Sequence, residues 1–227
     1  MKSISLYTSL LLATTAIPAF AVNLITNPSF EDISGLEIVL DQGYLPTNWT
    51  NISGIGQGAD TYSLDGTYGL SMGGFGHFTE VAGPADGNRF VAGGYFGEGV
   101  SEDFGQQLSL SSGTSYVLSA YLVLDYLYAS GDTFKFFIRD DDQVLPDVVL
   151  GVFTPPESST MWEFRTIEFT APLNADQYEW IGFRPDVAYP GIDNLSLVAV
   201  PEPATAALGM AGLALVYVMA NRSRKRE

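Results

Sequence analysis

The sequence predicts an all-β sandwich. Three observations lead there: short runs rich in β-branched and aromatic residues, turn residues at roughly 8–12-residue intervals, and no stretch in which apolar residues keep a helical spacing. The runs are 115–125, 133–139, 148–153, 162–170, 178–184 and 191–198. In the second, Phe134, Phe136 and Ile138 share one phase while Lys135 and Arg139 take the other, the alternation of a strand with one buried face. In 162–170 the phase changes, with Trp162 and Phe164 even but Ile167 and Phe169 odd. A β-bulge near Arg165 would reconcile them. Trp162 and Trp180 alternate with strand residues and read as core. Residues 53–76 hold glycine at 54, 56, 58, 66, 69, 73, 74 and 76, which predicts loops and short strands. No linker or repeat divides residues 22–199, so they form one domain.

Composition narrows the function. The chain has 227 residues with 24 glycines, 12 prolines and no cysteine, and its formal net charge is −16. A hydrophobic fraction of 46% is too apolar for a disordered chain. The missing cysteines exclude a disulfide framework, thiolate catalysis and Cys-based zinc or iron–sulfur sites. The single histidine, His77, argues against His-rich metal sites and reads as a surface residue. The acidic balance argues against a nucleic-acid partner, which requires clustered Lys and Arg.

The two ends read as addresses. Residues 1–21 have the form of a secretory signal peptide: Lys2, an uncharged apolar run over 4–17, and Ala19-Phe20-Ala21 as the cleavage site. At the other end, Pro201-Glu202-Pro203 precedes 204–220, which lack charge, and a basic tail of Arg222, Arg224, Lys225 and Arg226 over 222–226. As a transmembrane helix, 204–220 would span about 25 Å, near the minimum for a bilayer. The basic tail would stay cytoplasmic and leave the preceding domain on the far side. This order resembles the PEP-CTERM sorting signal of Gram-negative bacteria that make extracellular polysaccharide, here over 200–227. The resemblance implies handling by an exosortase, a membrane transpeptidase-like enzyme, with cleavage near the motif. A plain C-terminal membrane anchor is the alternative.

Within the body, Asn23-Leu24-Ile25-Thr26-Asn27-Pro28-Ser29-Phe30-Glu31 is similar to the opening strand of galactose-binding-like jelly rolls, a superfamily with many carbohydrate-binding modules. Ile192-Asp193-Asn194-Leu195-Ser196-Leu197 stands where that family has its closing strand, and 106–124 resemble its central strand pair. The resemblance implies a single jelly-roll β-sandwich. It also implies a structural calcium ion tying first strand to last, with Glu31 and Asp193 as ligands and Asp86 as a third candidate. The alternative is that Glu31 and Asp193 only hydrogen-bond across neighbouring strands. No other cofactor is implied.

Other patterns carry less. Asp140-Asp141-Asp142 lacks the alternate acidic spacing and the glycine of an EF-hand loop and reads as a solvated turn. Gly69-Leu70-Ser71-Met72-Gly73 matches a nucleophile elbow. That chemistry requires an acid and then a histidine later in the chain, but the only histidine follows at once. Sugar binding asks for an aromatic face and a few fixed polar groups, and Tyr44, Trp49, Tyr62, Tyr68 and Tyr95 fall in expected loops or strand ends. The sequence therefore reads as an exported, non-enzymatic envelope or extracellular-matrix protein that associates with polysaccharide. The alternatives are a structural or adhesive matrix protein without a sugar site and, last, a secreted polysaccharide hydrolase.

Overall fold

The computed structural model describes residues 22–34, 45–53, 58–66, 68–97, 100–125, 134–154, 156–186 and 189–200. The expected signal peptide, Tyr44, Pro201-Glu202-Pro203 and the expected membrane helix at 204–220 lie outside them. Among the described residues no helix is long and apolar enough to cross a membrane.

The described chain is built from thirteen strands: β1 (Thr50–Asn51), β2 (Asp60–Ser63), β3 (Leu70–Ser71), β4 (Arg89–Ala92), β5 (Tyr95–Gly97), β6 (Val100–Ser101), β7 (Phe104–Gln107), β8 (Ser115–Leu124), β9 (Phe134–Arg139), β10 (Val148–Val152), β11 (Glu163–Thr170), β12 (Trp180–Pro185) and β13 (Pro190–Ala199). They form a five-stranded sheet in the order β1-β7-β12-β9-β10 and a six-stranded sheet in the order β11-β8-β13-β4-β2-β3, with β5 and β6 a separate hairpin. All pairs are antiparallel except β2 with β3. From β7 onward the chain passes between the sheets at every step but the β9–β10 hairpin, the winding of a β-sandwich.

Alternation sets the core. Phe104, Phe134, Phe136, Ile138, Ile181 and Phe183 from the five-stranded sheet meet Leu118, Ala120, Leu122, Ile192 and Leu197 from the six-stranded one, all buried. Each of the phenylalanine, leucine and isoleucine side chains contributes about 1.5–3 kcal/mol on burial. A second cluster covers the outer side of the six-stranded sheet, where Tyr62, Phe90 and Val123 pack with Phe78, Val81 and Tyr189. Val91 points to the main core while Phe90 and Ala92 point to this second one, so β4 is covered on both faces. The glycine-rich excursion between β2 and β4 supplies the cover. Trp162 closes its end, donating its indole N–H to the Gly83 carbonyl at 2.6 Å and packing edge-on against Phe90.

Two details depart from expectation. Strand β11 pairs with β8 without a break from Glu163↔Leu122 to Thr170↔Ser115, so it has no bulge at Arg165. Phe164 simply faces outward, its ring centre 5.3 Å from that of Tyr121, while Trp162 precedes the strand and packs on Phe90. The irregularity sits in β13, between Asp193 and Ser196, where Asn194 adopts φ 47°. There the opening segment joins the closing strand: Leu24 donates its N–H to Leu197, Leu195 to Pro28, and Leu197 to the Asn23 side chain. The expected neighbourhood of first and last segments holds, as an irregular ladder rather than a strand.

Candidate functional site

The outward positions of β9 and β12 carry Lys135, Phe137 and Arg139 beside Trp180, Gly182 and Arg184. Phe137 is fully buried although it points away from the core. Its ring lies over Gly182, where a β-carbon would collide with it. The guanidinium carbons of Arg139 and Arg184 sit 4.9 and 4.6 Å from the ring centre. Two acids from the strand approaches complete a closed network. Arg139 grips Asp147 through Nε at 2.9 Å and Nη2 at 2.6 Å, and Arg184 holds Asp103 through Nε at 2.8 Å and Nη2 at 2.6 Å. Arg184 also reaches Asp147, Arg139 reaches Asp103, and Arg139 donates to the Ile52 carbonyl. Burial alone would raise the Asp147 carboxyl, but the hydrogen bonds from both arginines hold it below its usual value. Burial likewise opposes the charge on each guanidinium, and the paired carboxylates raise both above the usual value.

Beside this network the sheet opens into a cavity of about 240 Å³, lined by Thr50, Asn51, Arg139, Asp141, Gln143 and Trp180 among others. Trp180 is half-buried, and its indole N–H donates to Asp141 Oδ1 at 2.7 Å. Glu179 accepts the Asp141 N–H at 3.0 Å, and Asp140 caps its turn by accepting the N–H groups of Val144 and Leu145. The acidic run is thus an ordered turn that positions the tryptophan. An indole face beside amide, carboxylate and guanidinium groups is what a sugar ring needs: apolar C–H faces against the ring, hydroxyls against the polar rim.

The aromatics expected to serve this role lie elsewhere. Trp49 is in the main core, its ring 5.0 Å from Phe30 and 5.7 Å from Phe104, with its indole N–H on the Asn27 carbonyl. Tyr62 is fully buried in the second cluster, stacked on Phe90. Both are corrected from ligand candidates to core: polar sequence neighbours suggested loops, while the closure of the fold buries them. Tyr68 is 50% exposed in a turn and Tyr95 is half-buried in the hairpin. Trp180, expected in the core, faces outward instead.

Glu31 and Asp193 both bond to the turn at 85–89, which contains Asp86, but the three side chains form no cluster. Glu31 Oε1 accepts the N–H groups of Asn88 and Arg89 at 2.6 and 2.7 Å, and its Oε2 meets the Arg89 guanidinium at 3.2 Å. Gly87, at φ 64°, lets that carboxylate approach. Asp193 is fully buried and accepts the N–H groups of Asp86 at 2.8 Å and Asn194 at 2.7 Å. Burial pushes its carboxyl up to about 8 against those hydrogen bonds. Calcium requires six to eight oxygens. Here the Glu31 oxygens face N–H donors and a guanidinium, and among the described residues no three acidic or histidine side chains stand close enough to hold an ion. As placed, these residues do not fit calcium; the tie between the chain ends is made by hydrogen bonds.

A second polar cluster escaped the sequence. His77 pairs through Nδ1 with the buried carboxylate of Asp125, and its ring stacks on Tyr189 at 4.2 Å. Tyr189 donates to Asp60 Oδ2 at 3.0 Å, and Glu102 accepts the Gly94 N–H at 2.7 Å. Burial pushes the Glu102 carboxyl up to about 8, with the Asp60 charge adding to it. Burial raises Asp60 as well, opposed by the Tyr189 hydroxyl and the His77 charge. This cluster pins the glycine-rich excursion to the ends of β8 and β13. His77 is a structural latch here, not the surface residue its glycine-rich surroundings suggested.

Comparison with known proteins bears out the C-terminal sorting signal. Residues 199–225 match the PEP-CTERM protein-sorting motif, so the chain carries an export and C-terminal sorting signal. No curated protein matches the chain. Among solved structures it is similar to the N-terminal carbohydrate-binding and catalytic modules of xylanase 10B from Clostridium thermocellum, with 13% identity and TM-score 0.42 over 69% of this chain and 27% of that one. A family 4 carbohydrate-binding module gives 17% identity and TM-score 0.43 over 78% and 99%. A Stig cyclase from Fischerella sp. TAU gives 15% identity and TM-score 0.43 over 81% and 100%. The chain therefore spans about a quarter of the length of the first of these structures.

Proposed function

We propose that this chain is an exported, non-enzymatic protein of the cell envelope or extracellular matrix, whose sandwich associates with polysaccharide through the cavity beside Trp180. The observation that carries the reading is that tryptophan: an indole held half-exposed on the outer face of the five-stranded sheet, fixed by Asp141 and rimmed by Asn51, Gln143 and Arg139. A cavity of about 240 Å³ covers little ligand, which suits one ring of a chain lying across the sheet. Exosortase is the processing partner, acting while the C-terminal segment holds the protein at the membrane. The body is strongly acidic, with only Arg89, Lys135, Arg139, Arg165 and Arg184 as cations between residues 22 and 200. Three of the five lie on the proposed binding face, each paired with a carboxylate, so the face offers a neutral glycan polar groups without a free positive charge.

A glycan array probed with the exported protein and with Trp180→Ala tests this reading. Binding by the wild type that the variant loses supports it. No binding by the wild type would leave the adhesive reading, which exposed Phe164, beside half-buried Tyr121 on the opposite sheet, favours.

A further inference from the structure

Strand β13 runs into the sorting signal with no spacer. Its ladder with β8 continues through Val198↔Val117 and Ala199↔Tyr116, and Val200 donates its N–H to the Ser115 carbonyl at 2.8 Å. The next residue is Pro201, the first of the Pro-Glu-Pro motif, and the match to the sorting family begins at residue 199, inside the strand. This strand is an interior one, between β8 and β4, with Leu195 and Leu197 buried in the main core. Its end borders a groove of about 520 Å³ lined by Tyr116, Val117, Glu168, Phe169, Thr170 and Val200 among others.

An enzyme that cuts a peptide chain takes its substrate extended, with backbone hydrogen bonds on both sides of the scissile bond. Cleavage near Pro-Glu-Pro therefore calls for residues 198–200 as part of the bound peptide. In the folded domain those backbone groups already serve the ladder to β8. We propose that processing and closure of the last strand compete: the processing enzyme takes the chain only while the end of β13 is detached from β8. In that step one peptide bond near the motif breaks. The acyl carbon passes to a water or amine acceptor, and the acceptor's proton goes to the nitrogen that becomes the amino terminus of the released tail. Once cut, the end of β13 closes onto β8, and the new terminus stands directly at the sheet. The proposal rests on the sorting reading above.

The chain has no cysteine, so Val117→Cys with Val198→Cys, paired across β8 and β13, can form one disulfide only. In the full chain, made in cells that process such signals, the oxidised staple slows loss of the C-terminal tail at least tenfold. Reduction restores it. Eight Gly/Ser residues inserted between Val200 and Pro201 restore it with the disulfide intact, and speed processing of the unstapled chain. The inserted chain keeps native pairs throughout the domain, so its behaviour decides the matter even where the staple fails to fold. A stapled chain processed at the wild-type rate, or an insertion without effect, overturns the competition. Processing that survives replacement of Pro201, Glu202 and Pro203 by alanine, or a wild-type chain never processed, overturns the sorting reading and the inference with it.

Discussion

Phe137 and Gly182 stand directly opposite each other on β9 and β12, and the phenyl ring occupies the space a side chain at 182 would take. This pairing buries an aromatic residue on the outer face of the sheet and gives two arginines a surface to stack on. Gly182→Ala forces the ring off that surface. The cost is about 1–3 kcal/mol, or about 2–4 °C in Tm for each kcal/mol. Thermal unfolding of the variant checks it, and an unchanged Tm would contradict the packing described.

Asp103 is nearly fully buried and accepts hydrogen bonds from two guanidinium groups. Asp103→Ala leaves two partly buried cations sharing Asp147 alone. Removing one member of such a network costs on the order of 3–5 kcal/mol. Chemical denaturation reads that loss, and a change below about 1 kcal/mol would show the pairs to be screened like ordinary surface bridges.

Stability should fall as pH rises through neutrality. Glu102 and Asp193 have folded-state values near 8, above their ordinary 4.5 and 3.8, so the folded protein holds protons that the unfolded chain releases. That contribution is complete below about pH 4 and lost by about pH 8. Asp147 works the other way: held low by the arginines, its contribution is present above its ordinary 3.8 and lost in stronger acid. Tm is therefore highest between about pH 4 and 5, falls steadily to about pH 8 and is several degrees lower at pH 9, and Glu102→Gln flattens the alkaline limb. A Tm that climbs from pH 6 to pH 9 would refute this.

Calcium should matter little. With Glu31 engaged by two amide N–H groups and Arg89, millimolar Ca²⁺ leaves Tm within about 1 °C, and a chelator does the same. A rise of several degrees on adding the ion would mean that Glu31 exchanges its amides for metal oxygen bonds. By contrast, Glu31→Ala unties the turn at 85–89 and lowers Tm in either medium.

The strands from β8 to β13 were legible because their burial follows local alternation, as at Phe134, Phe136 and Ile138 against Lys135 and Arg139. Trp180 shows where alternation alone is ambiguous: it marks two faces without saying which is inner. The deciding signal lay four residues along the strand, since Arg184 shares its phase with Trp180 while Ile181 and Phe183 take the other. Trp49 and Tyr62 had no such guide, because polar and glycine-rich neighbours surround them and only the closing of distant strands buries them. His77 meets Asp125 across 48 positions of sequence, a contact no local pattern announces.

The central claim is a glycan site at Trp180. Affinity electrophoresis of the wild type, Trp180→Ala and Trp49→Ala through gels containing matrix polysaccharide tests it most directly, with Tm measured on each. The wild type should be retarded, and Trp180→Ala should run as in a gel without polysaccharide while its Tm stays within about 2 °C of the wild type. Trp49→Ala should lose about 3–5 kcal/mol of stability, as a core tryptophan does. Retardation of Trp180→Ala equal to that of the wild type would contradict the account.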